Sequence, residues 1–257
     1  MGEMHFTILT IFPELFAPFW SHGMIGRAKK SGTIGAETIQ IRDFTADRHR
    51  STDDRPYGGG SGMVMTPEPL AAAIRQAQAR SPHATTVLLS PQGRRFDQQL
   101  AVELHHRGRD MILVCGRYEG VDDRICGQFV DEEISVGDFV LTGGELAAMV
   151  IIDAVCRLIP GVLGAADAAD KDSFASGLLE HPQFTRPRDF EGDRVPDILL
   201  SGNHAAVDRW RLEQSLMRTL LQRPDLLDER RLSGSETEIL EKWRGRIDAI
   251  LDSAGER

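Results

Sequence analysis

The stretch TTVLLSPQGRRFDQQLAVELHHRGRDMILVCGRYEG, residues 85–120, contains the pattern that decides the fold class. Two short apolar runs, residues 85–89 and Met111–Cys115, have the length and composition of buried strands. A helix-like segment, residues 97–107, lies between them. A strand, a helix and a second strand in this order are typical of a parallel sheet. The pattern therefore predicts an α/β protein.

The same alternation continues on both sides of this stretch. We predict strands at residues 6–12 and 38–42, helices at 13–30 and 67–80, a β-rich stretch at 133–141 and a helix at 144–159. Beyond it, the small and acidic residues of GVLGAADAADK are typical of a linker, and two later segments, residues 207–222 and 236–251, have helical spacing. These patterns predict an α/β domain at 1–160, a flexible linker at 161–172 and a small, mainly α-helical domain at 173–257.

Composition places the chain among globular proteins with a core. Of its 257 residues 41% are hydrophobic, and 30 Lys and Arg stand against 39 Asp and Glu, giving a formal net charge of −9. This charge by itself argues weakly against a nucleic-acid partner. The most apolar segment, residues 146–159, contains Asp153 and Arg157 and is shorter than the ~20 residues of a membrane span. We expect a cytoplasmic protein, because the N-terminus lacks the features of a signal peptide.

Glycines follow three of the predicted strands. The chain reads SPQGRRF after Leu89, GRYEGVDDR after Cys115 and GDFVLTGGE after Val136. Ligands of parallel sheets bind at the carboxyl ends of the strands, where glycine lets the backbone approach them closely, so we expect one shared pocket. The sequence lacks G-x-G-x-x-G after the first strand, G-x-x-x-x-G-K-[ST], H-E-x-x-H and G-x-S-x-G, which disfavours the commonest nucleotide, zinc-protease and hydrolase sites. Three cysteines without a C-x-x-C pair argue against a disulfide framework or structural zinc.

The segment RDFTADRHRSTDDRPYGGGSGM, residues 42–63, is a further candidate for binding. It contains four arginines and one histidine beside four aspartates, and Tyr57 precedes a glycine cluster. An exposed tyrosine can stack on a nucleobase. The alternative is a solvated surface loop with internal ion pairs.

Several longer motifs carry a resemblance to a known family. The motifs LSPQGRRFDQ, LVCGRYEGVDDR, DEEISVGDFVLTGGELAAM, IPGVLG, DSFASGLLEHPQFTRP and LLSGNHAAVDRWR resemble, in order and spacing, the bacterial tRNA (guanine-N1)-methyltransferases of the SPOUT superfamily. IFPELF, GRA and the segment 42–63 extend the similarity, which covers about residues 5–230. The resemblance implies a homodimer with a trefoil knot that binds S-adenosylmethionine in a bent shape. It also implies methyl transfer to N1 of guanosine 37 of tRNA, just 3′ of the anticodon, with a preference for a guanosine before it.

The resemblance also assigns the cofactor pocket to three loops. Leu88 and Phe139 occupy two positions where members of the family can have a tyrosine. Both keep a bulky side chain but lack the tyrosine hydroxyl. Some family members require Mg2+ for turnover, so Mg2+ is a second candidate cofactor, although no residue spacing indicates a metal site. The implied cofactor residues are Leu88, Leu89, Ser90, Pro91, Gly116, Arg117, Tyr118, Glu119, Val136, Gly137, Asp138, Phe139, Val140, Leu141, Gly143 and Gly144.

Three residues are the implied catalytic groups. The resemblance makes Asp172 the base that removes the guanine N1 proton and Arg157 the cation that stabilises negative charge on O6. Glu119 would contact the target guanine or the methionine amino group. Each has a structural alternative: Asp172 as a helix N-cap before Ser173, Arg157 as an ion-pair partner of Asp153, and Glu119 as a carboxylate facing water.

The resemblance implies an active site that is shared between two subunits, so isolated monomers would be inactive. The linker would act as a lid that closes over bound tRNA and brings Asp172 to the substrate. Competing interpretations are a SPOUT methyltransferase acting on ribosomal RNA or a ribose hydroxyl, a catalytically silent RNA-binding dimer, and, ranked lowest, a nucleotide-binding regulator. The candidate tRNA-binding residues are Arg48, His49, Arg50, Arg55, Tyr57, Gly59, His181, Arg186, Ser201, Asn203, His204, Arg209 and Arg211.

Overall fold

The computed structural model of the chain describes residues 4–164, 169–228 and 230–255. The chain divides into two compact units, Met1–Ala166 and Asp167–Arg257. Within the described ranges, none of the helices combines the length and the apolar character that crossing a membrane requires.

The first unit is built on a five-stranded sheet. Its strand order is β2-β1-β6-β5-β7, and every pair of neighbours is parallel. The predicted α/β fold with a parallel sheet is therefore confirmed. The strands are β1 (Met4–Thr10), β2 (Ile34–Gln40), β5 (Thr85–Arg95), β6 (Met111–Cys115) and β7 (Glu132–Ser135), and a separate antiparallel pair consists of β3 (Asp53–Asp54) and β4 (Val64–Met65).

Helices cover both faces of this sheet. Successive side chains of a strand point to opposite faces, so Leu113 of β6 packs into one apolar cluster and Ile112 into the other. Burial on both sides explains why the central strands are apolar without interruption. The helices of this unit are α1 (Phe16–Ser21), α2 (Gly23–Lys30), α3 (Pro67–Arg80), α4 (Gln98–Arg107), α5 (Asp123–Phe129) and α6 (Glu145–Cys156).

The segment predicted as helical, residues 13–30, is helical in three separate pieces. A short 3-10 turn, Pro13–Leu15, precedes α1, and His22 then interrupts the helical path with extended backbone (φ −123°, ψ 164°). Gly23 follows with φ +64°. The apolar spacing of this region is shared by two short helices, which periodicity alone cannot separate.

Four strand predictions have the wrong bounds. The strand predicted at residues 6–12 is Met4–Thr10, and the one predicted at residues 38–42 is Ile34–Gln40. The strand β5 continues six residues beyond Leu89, with a register shift before Arg94 pairs with Ile134. The β-rich stretch at 133–141 contains strand only up to Ser135. The residues that follow form an exposed loop, in which Gly137 adopts φ +150°.

The second unit contains a small helical core. Leu178, Leu216 and Ile239 are buried in it, with Leu212 and Trp243 packed against them. The two predicted helices are present with longer bounds, and Asn203 begins the first by accepting a hydrogen bond from the Ala206 N–H at 3.2 Å. The described elements are the 3-10 turns Ala169–Lys171 and Asp197–Leu200, the strands β8 (Asp189–Phe190) and β9 (Asp193–Arg194), and the helices α7 (His204–Gln222), α8 (Asp225–Asp228) and α9 (Gly234–Gly255).

Candidate active site

A cavity of about 350 Å³ lies in the first unit, where β6 and β7 end beside the middle of β5. Three segments line it: residues 88–92 of β5, the loop 116–121, and residues 133–144, which include the end of β7 and the loop after it. Every residue that the resemblance assigns to the cofactor lines this cavity except Asp138. Gln92, Val121 and Cys126 also line the cavity and were not predicted from the sequence. The only feature of the sequence that could have indicated them is their position close to these segments.

Glycines allow two of the loops to approach each other closely. The Gly144 N–H donates to the Gly116 carbonyl at 2.9 Å, and a Cβ at Gly144 would lie 2.8 Å from the Cα of Cys115. Arg117 and Gly143 form an isolated antiparallel bridge beside this contact. A side chain at position 144 would therefore push apart the two backbones that form the cavity wall.

A buried ion pair connects the same loops to the first strand. The Arg117 Nε donates to Glu145 Oε2 at 3.0 Å, and the side chains are 18% and 2% exposed. The Thr10 hydroxyl at the end of β1 donates to Glu145 Oε1 at 2.7 Å. Arg117 also donates to the Thr142 carbonyl and lies over the ring of Phe12, 4.6 Å from its centroid. This network holds the loop after β6, the start of α6 and the end of β1 in one arrangement.

Burial keeps the thiol next to this network neutral. Cys115 is fully buried, and its desolvation, with a smaller contribution from the Glu145 charge, raises the pKa of the thiol well above its usual value. A thiol that does not ionise near neutral pH is not a nucleophile. Cys115 therefore belongs to the apolar core beneath the cavity loops and is not a reactive group.

The glycine-rich segment 42–63 is attached to the cavity loop through its last residues. The Glu119 N–H donates to the Met63 carbonyl at 3.0 Å, and the Met65 N–H donates to the Gly120 carbonyl at 2.9 Å. Gly62 has φ +96°, and a Cβ there would lie 2.6 Å from Glu119 Cγ. The side chain of the carboxylate predicted to contact the substrate thus packs against Gly62, and a Cβ at that position would displace it.

The other two predicted catalytic residues lie in different units. Arg157 is the C-cap residue of α6, and its N–H donates to the Asp153 carbonyl at 3.2 Å. Asp172 follows the 3-10 turn Ala169–Lys171, and no α-helix begins after it, so the alternative that Asp172 is a helix N-cap is wrong. Its carbonyl instead accepts from the Ala175 N–H in a turn. Part of the predicted linker, residues 165–168, lies outside the described residues.

Several predicted tRNA-binding residues also have contacts within the chain. Arg50 forms an ion pair with Asp43, as the surface-loop alternative expects. Arg209 pairs with Glu238 at 2.9 Å, and this hydrogen bond is the main reason why the pKa of the guanidinium is raised. The Ser201 hydroxyl donates to the Ile198 carbonyl at 2.7 Å. The remaining candidates, which lie within residues 48–59 and 181–211, are exposed or partly exposed: Arg48, His49, Arg55, Tyr57, Gly59, His181, Arg186, His204 and Arg211.

The cavity fits a small organic ligand better than a metal ion. Its volume lies within the range of about 300–1,000 Å³ typical of ligand sites, and Leu88, Phe139 and Leu141 give it apolar walls. Among residues 4–164, 169–228 and 230–255, no three His, Cys, Asp or Glu side chains are grouped to hold a metal ion. Mg2+ stays a prediction from the resemblance.

Comparison with known proteins gives the family. A family model described as tRNA (Guanine-1)-methyltransferase TrmD matches residues 4–229. The chain belongs to this family. A methyltransferase of this family uses S-adenosylmethionine as methyl donor in general, so the cavity described above is the candidate site for it.

Curated relatives are similar over nearly the whole chain. A protein of Desulfatibacillum aliphaticivorans is 52% identical over 252 residues, 98% of this chain and 96% of the relative. One of Geobacter sulfurreducens is 52% identical over 98% of this chain and 100% of the relative. A protein of Geotalea uraniireducens is 54% identical over 93% of this chain and 96% of the relative. All three are named tRNA (guanine-N(1)-)-methyltransferase, so the family resemblance seen in the motifs is confirmed.

Proposed function

We propose that this protein transfers a methyl group from S-adenosylmethionine to N1 of guanosine 37 of tRNA. The observation that carries the proposal is the match to the tRNA guanine-N1 methyltransferase family over residues 4–229. The cavity at the glycine-rich strand ends adds a site of suitable size and chemistry in the matched region. The ribosomal RNA alternative loses support, because the full-length relatives carry the tRNA name.

The walls of the cavity suit an adenosine held by apolar contacts and backbone groups. Residues 136–141 form one side of the cavity. In this segment Phe139 supplies an aromatic ring, and a Cβ at Gly137 would clash with that ring. Ser90 and Gly116 lie on the facing loops. Specificity at such a site comes from a few backbone donors and acceptors between apolar surfaces. We assign the trefoil knot that the resemblance implies to this region, where the segments implied to bind the cofactor come together.

The reaction requires little covalent help from the protein. The bound cofactor supplies a methyl group on a sulfonium, which is a good leaving group. The bond from guanine N1 to the methyl carbon forms as the carbon–sulfur bond breaks, and the N1 proton passes to the Asp172 carboxylate. Arg157 stabilises the negative charge that develops on O6, and Glu119 orients the base.

A second copy of the chain completes the proposed site. Leu146 and Val150 of α6 are 59% and 50% exposed, and a spacing of four residues places them on one face of the helix. Val140, on the loop that lines the cavity, is also exposed. Apolar surface of this kind is typical of a subunit contact. In the proposed dimer, the cavity of one subunit acts with Asp172 of the other.

The cytoplasmic location of the protein stays a prediction.

The proposal is tested with two tRNA transcripts that differ only in the nucleotide 3′ of the anticodon. Purified protein and methyl-labelled S-adenosylmethionine are incubated with the guanosine 37 transcript or with its adenosine 37 counterpart. We expect label to appear as 1-methylguanosine in the first reaction only, measured by nucleoside chromatography. Cofactor binding without transfer to either transcript would contradict the proposal and favour a silent RNA-binding dimer.

The position of Glu119 gives a second prediction. We expect Gly62→Ala to lower kcat/KM for tRNA by about 10- to 100-fold, because the new Cβ displaces the Glu119 side chain and small misplacements cost this much. The measurement is the initial rate of methyl transfer at saturating S-adenosylmethionine.

Gly58→Ala is the matched control for this prediction. Gly58 also has a positive φ, +84°, but a Cβ there meets no atom within 4 Å. Both variants therefore carry the backbone strain, and only Gly62→Ala carries the clash. Equal losses in the two variants would show that the segment 42–63 acts through its conformation and not through Glu119.

A further inference from the structure

The loop of residues 172–178, which begins with Asp172, has a strained backbone. Phe174 adopts φ +73°, a conformation that a bulky residue rarely takes. Two hydrogen bonds close the loop on itself: the Phe174 N–H donates to the Leu178 carbonyl at 2.7 Å, and the Gly177 N–H donates to the Phe174 carbonyl at 3.1 Å. Strained backbone of this kind persists only where its surroundings hold it. The side chains that pack against the loop therefore contribute to its shape.

The side chain of Arg230 packs against this loop. Gly177 has φ +77°, and a Cβ there would lie 3.3 Å from the Arg230 Cδ. The aliphatic stem of Arg230 thus lies close to the backbone of the loop. The match to the family model ends at residue 229, and none of the motifs that carry the resemblance includes Arg230. The contact joins the loop to a part of the chain outside the matched region.

A buried carboxylate fixes the position of the Arg230 guanidinium. Its Nη2 donates to Glu236 Oε1 at 2.7 Å and to Oε2 at 3.0 Å, and the two side chains are 21% and 6% exposed. Glu236 also forms a capping box with Ser233 at the start of α9: the Ser233 N–H donates to Oε2 at 2.6 Å, and the Glu236 N–H donates to the Ser233 hydroxyl at 3.3 Å. Burial opposes ionisation of Glu236, but the hydrogen bonds from Ser233 and Arg230 lower the pKa of its carboxyl below the usual value. Glu236 is therefore a charged and well-held partner for Arg230.

The ion pair alone does not explain this arginine. The Nη1 atom of Arg230 is buried and has no acceptor among the described residues. A buried donor without an acceptor lowers the stability of the fold. Departures of this kind from good packing are expected where a residue serves function, so Arg230 is not placed for stability alone.

We propose that Arg230 is a positioning residue for methyl transfer: held by Glu236, its side chain fixes the loop 172–178 and with it the Asp172 carboxylate. The inference rests on the proposed function, in which Asp172 takes the guanine N1 proton. A displacement of about 1 Å at a reacting group can cost about 10²-fold in rate. Arg230 and Asp172 lie in the same unit, so the contact is made within one chain.

Single-turnover methyl transfer to the guanosine 37 transcript measures this role. We expect Arg230→Ala to slow the chemical step by about 10- to 100-fold, while the affinities for the transcript and for S-adenosylmethionine stay within about three-fold of wild type. Arg230→Lys keeps an aliphatic stem and a charge that can pair with Glu236, so its rate should recover to within about five-fold of wild type. A loss of transcript affinity with an unchanged chemical step would overturn the proposal, because Arg230 would then be an RNA contact. A rate for Arg230→Lys as low as that of Arg230→Ala would also contradict it.

Arg244→Ala is the matched control. Arg244 lies in the same unit and also has a carboxylate partner, Asp248 at 3.7 Å, but its side chain is 84% exposed. We expect its single-turnover rate to stay within about two-fold of wild type. If Arg230→Ala reacts as fast as this control, Arg230 does not position Asp172.

Urea unfolding shows whether the variants are folded in the assay. In a Trp20→Phe background both remaining tryptophans lie in the second unit, so their emission reports on that unit. If Arg230→Ala is unfolded under the assay conditions, Glu236→Gln takes its place. Gln can keep the capping box but lacks the charge that holds Arg230, so we expect a chemical step about 3- to 10-fold slower than wild type. A rate for Glu236→Gln equal to that of Arg244→Ala would count against the proposal.

A double-mutant cycle shows whether Arg230 acts through Asp172. In an Asp172→Asn background, Arg230→Ala should slow the remaining transfer by less than about two-fold, because the group that Arg230 positions has already been removed. A merely structural role would slow the reaction by the same factor in both backgrounds, and that result would overturn the proposal.

The same cycle separates this inference from the proposed function. If Asp172→Asn is slow and Arg230→Ala reacts as the Arg244→Ala control does, only the role of Arg230 fails. If the wild type does not methylate the transcript, the proposed function fails, and if Asp172→Asn is as fast as wild type, the assignment of the base fails. In either case the role of Arg230 fails with it.

Discussion

Asp172→Asn is expected to slow methyl transfer by about 10²- to 10⁴-fold, because the amide cannot accept the guanine N1 proton. Binding of S-adenosylmethionine should stay within about two-fold of wild type, since Asp172 lies in the second unit and the cavity in the first. Single-turnover rates measure the chemical step, and calorimetric titration measures cofactor binding. A rate within a few-fold of wild type would remove Asp172 from the role of base.

Mixed dimers show whether Asp172 acts on its own subunit or on the other. Asp172→Ala chains are combined with chains carrying Phe139→Asp, which places a carboxylate in the cofactor cavity. If the active site is shared, each mixed dimer has one intact site, and random pairing gives about a quarter of the wild-type specific activity. Activity no higher than that of the separate variants would contradict the shared site.

Glu145→Ala is expected to lower the free energy of unfolding of the first unit by about 3 kcal/mol or more, because it leaves the Arg117 guanidinium without its buried partner. The Thr10 hydroxyl loses its acceptor as well. Urea unfolding followed by Trp20 fluorescence, in a background with Trp210→Phe and Trp243→Phe, reports on the first unit alone. A decrease in the free energy of unfolding below about 1 kcal/mol would show that solvent replaces Glu145 as the partner of the Arg117 guanidinium.

A double variant separates stability from positioning at the same pair. Arg117→Met with Glu145→Leu replaces both charges by apolar groups of similar size, a change that often restores stability to about that of the ion pair. We expect the double variant to regain most of the stability lost in Glu145→Ala but to bind S-adenosylmethionine more weakly than wild type, because the bond from Arg117 to the Thr142 carbonyl is absent. Full recovery of cofactor affinity would show that the pair stabilises the fold without ordering the loops.

The central strands were predictable from sequence because their signal is local. The run Met111–Cys115 is apolar throughout and is a strand with the predicted bounds, and α3 was likewise predicted at Pro67–Arg80. The extension of β5 to Arg95 was missed, since SPQGRR has neither apolar alternation nor β-branched residues, and its pairing with Ile134 depends on a distant strand.

The cavity could be predicted in outline and its internal contacts could not. Glycines at three strand ends indicated a pocket, and the family motifs named most of the residues that line it. The pairing of Arg117 with Glu145 joins positions 28 residues apart, and their charges produce no periodic pattern. The same is true of Gly62 and Glu119, whose proximity depends on the path of the segment 42–63.

The hydrogen bond from Thr10 to Glu145 has a consequence for synthesis of the chain on the ribosome. It joins residues 135 positions apart, so the N-terminal strand is made long before its partner exists. The wall of the candidate cofactor cavity is therefore completed only after α6 has emerged, and until then the Arg117 guanidinium has no Glu145 carboxylate to pair with. Contacts of such separation form slowly, so a nascent chain that ends before residue 145 has strands of the sheet without a finished binding site.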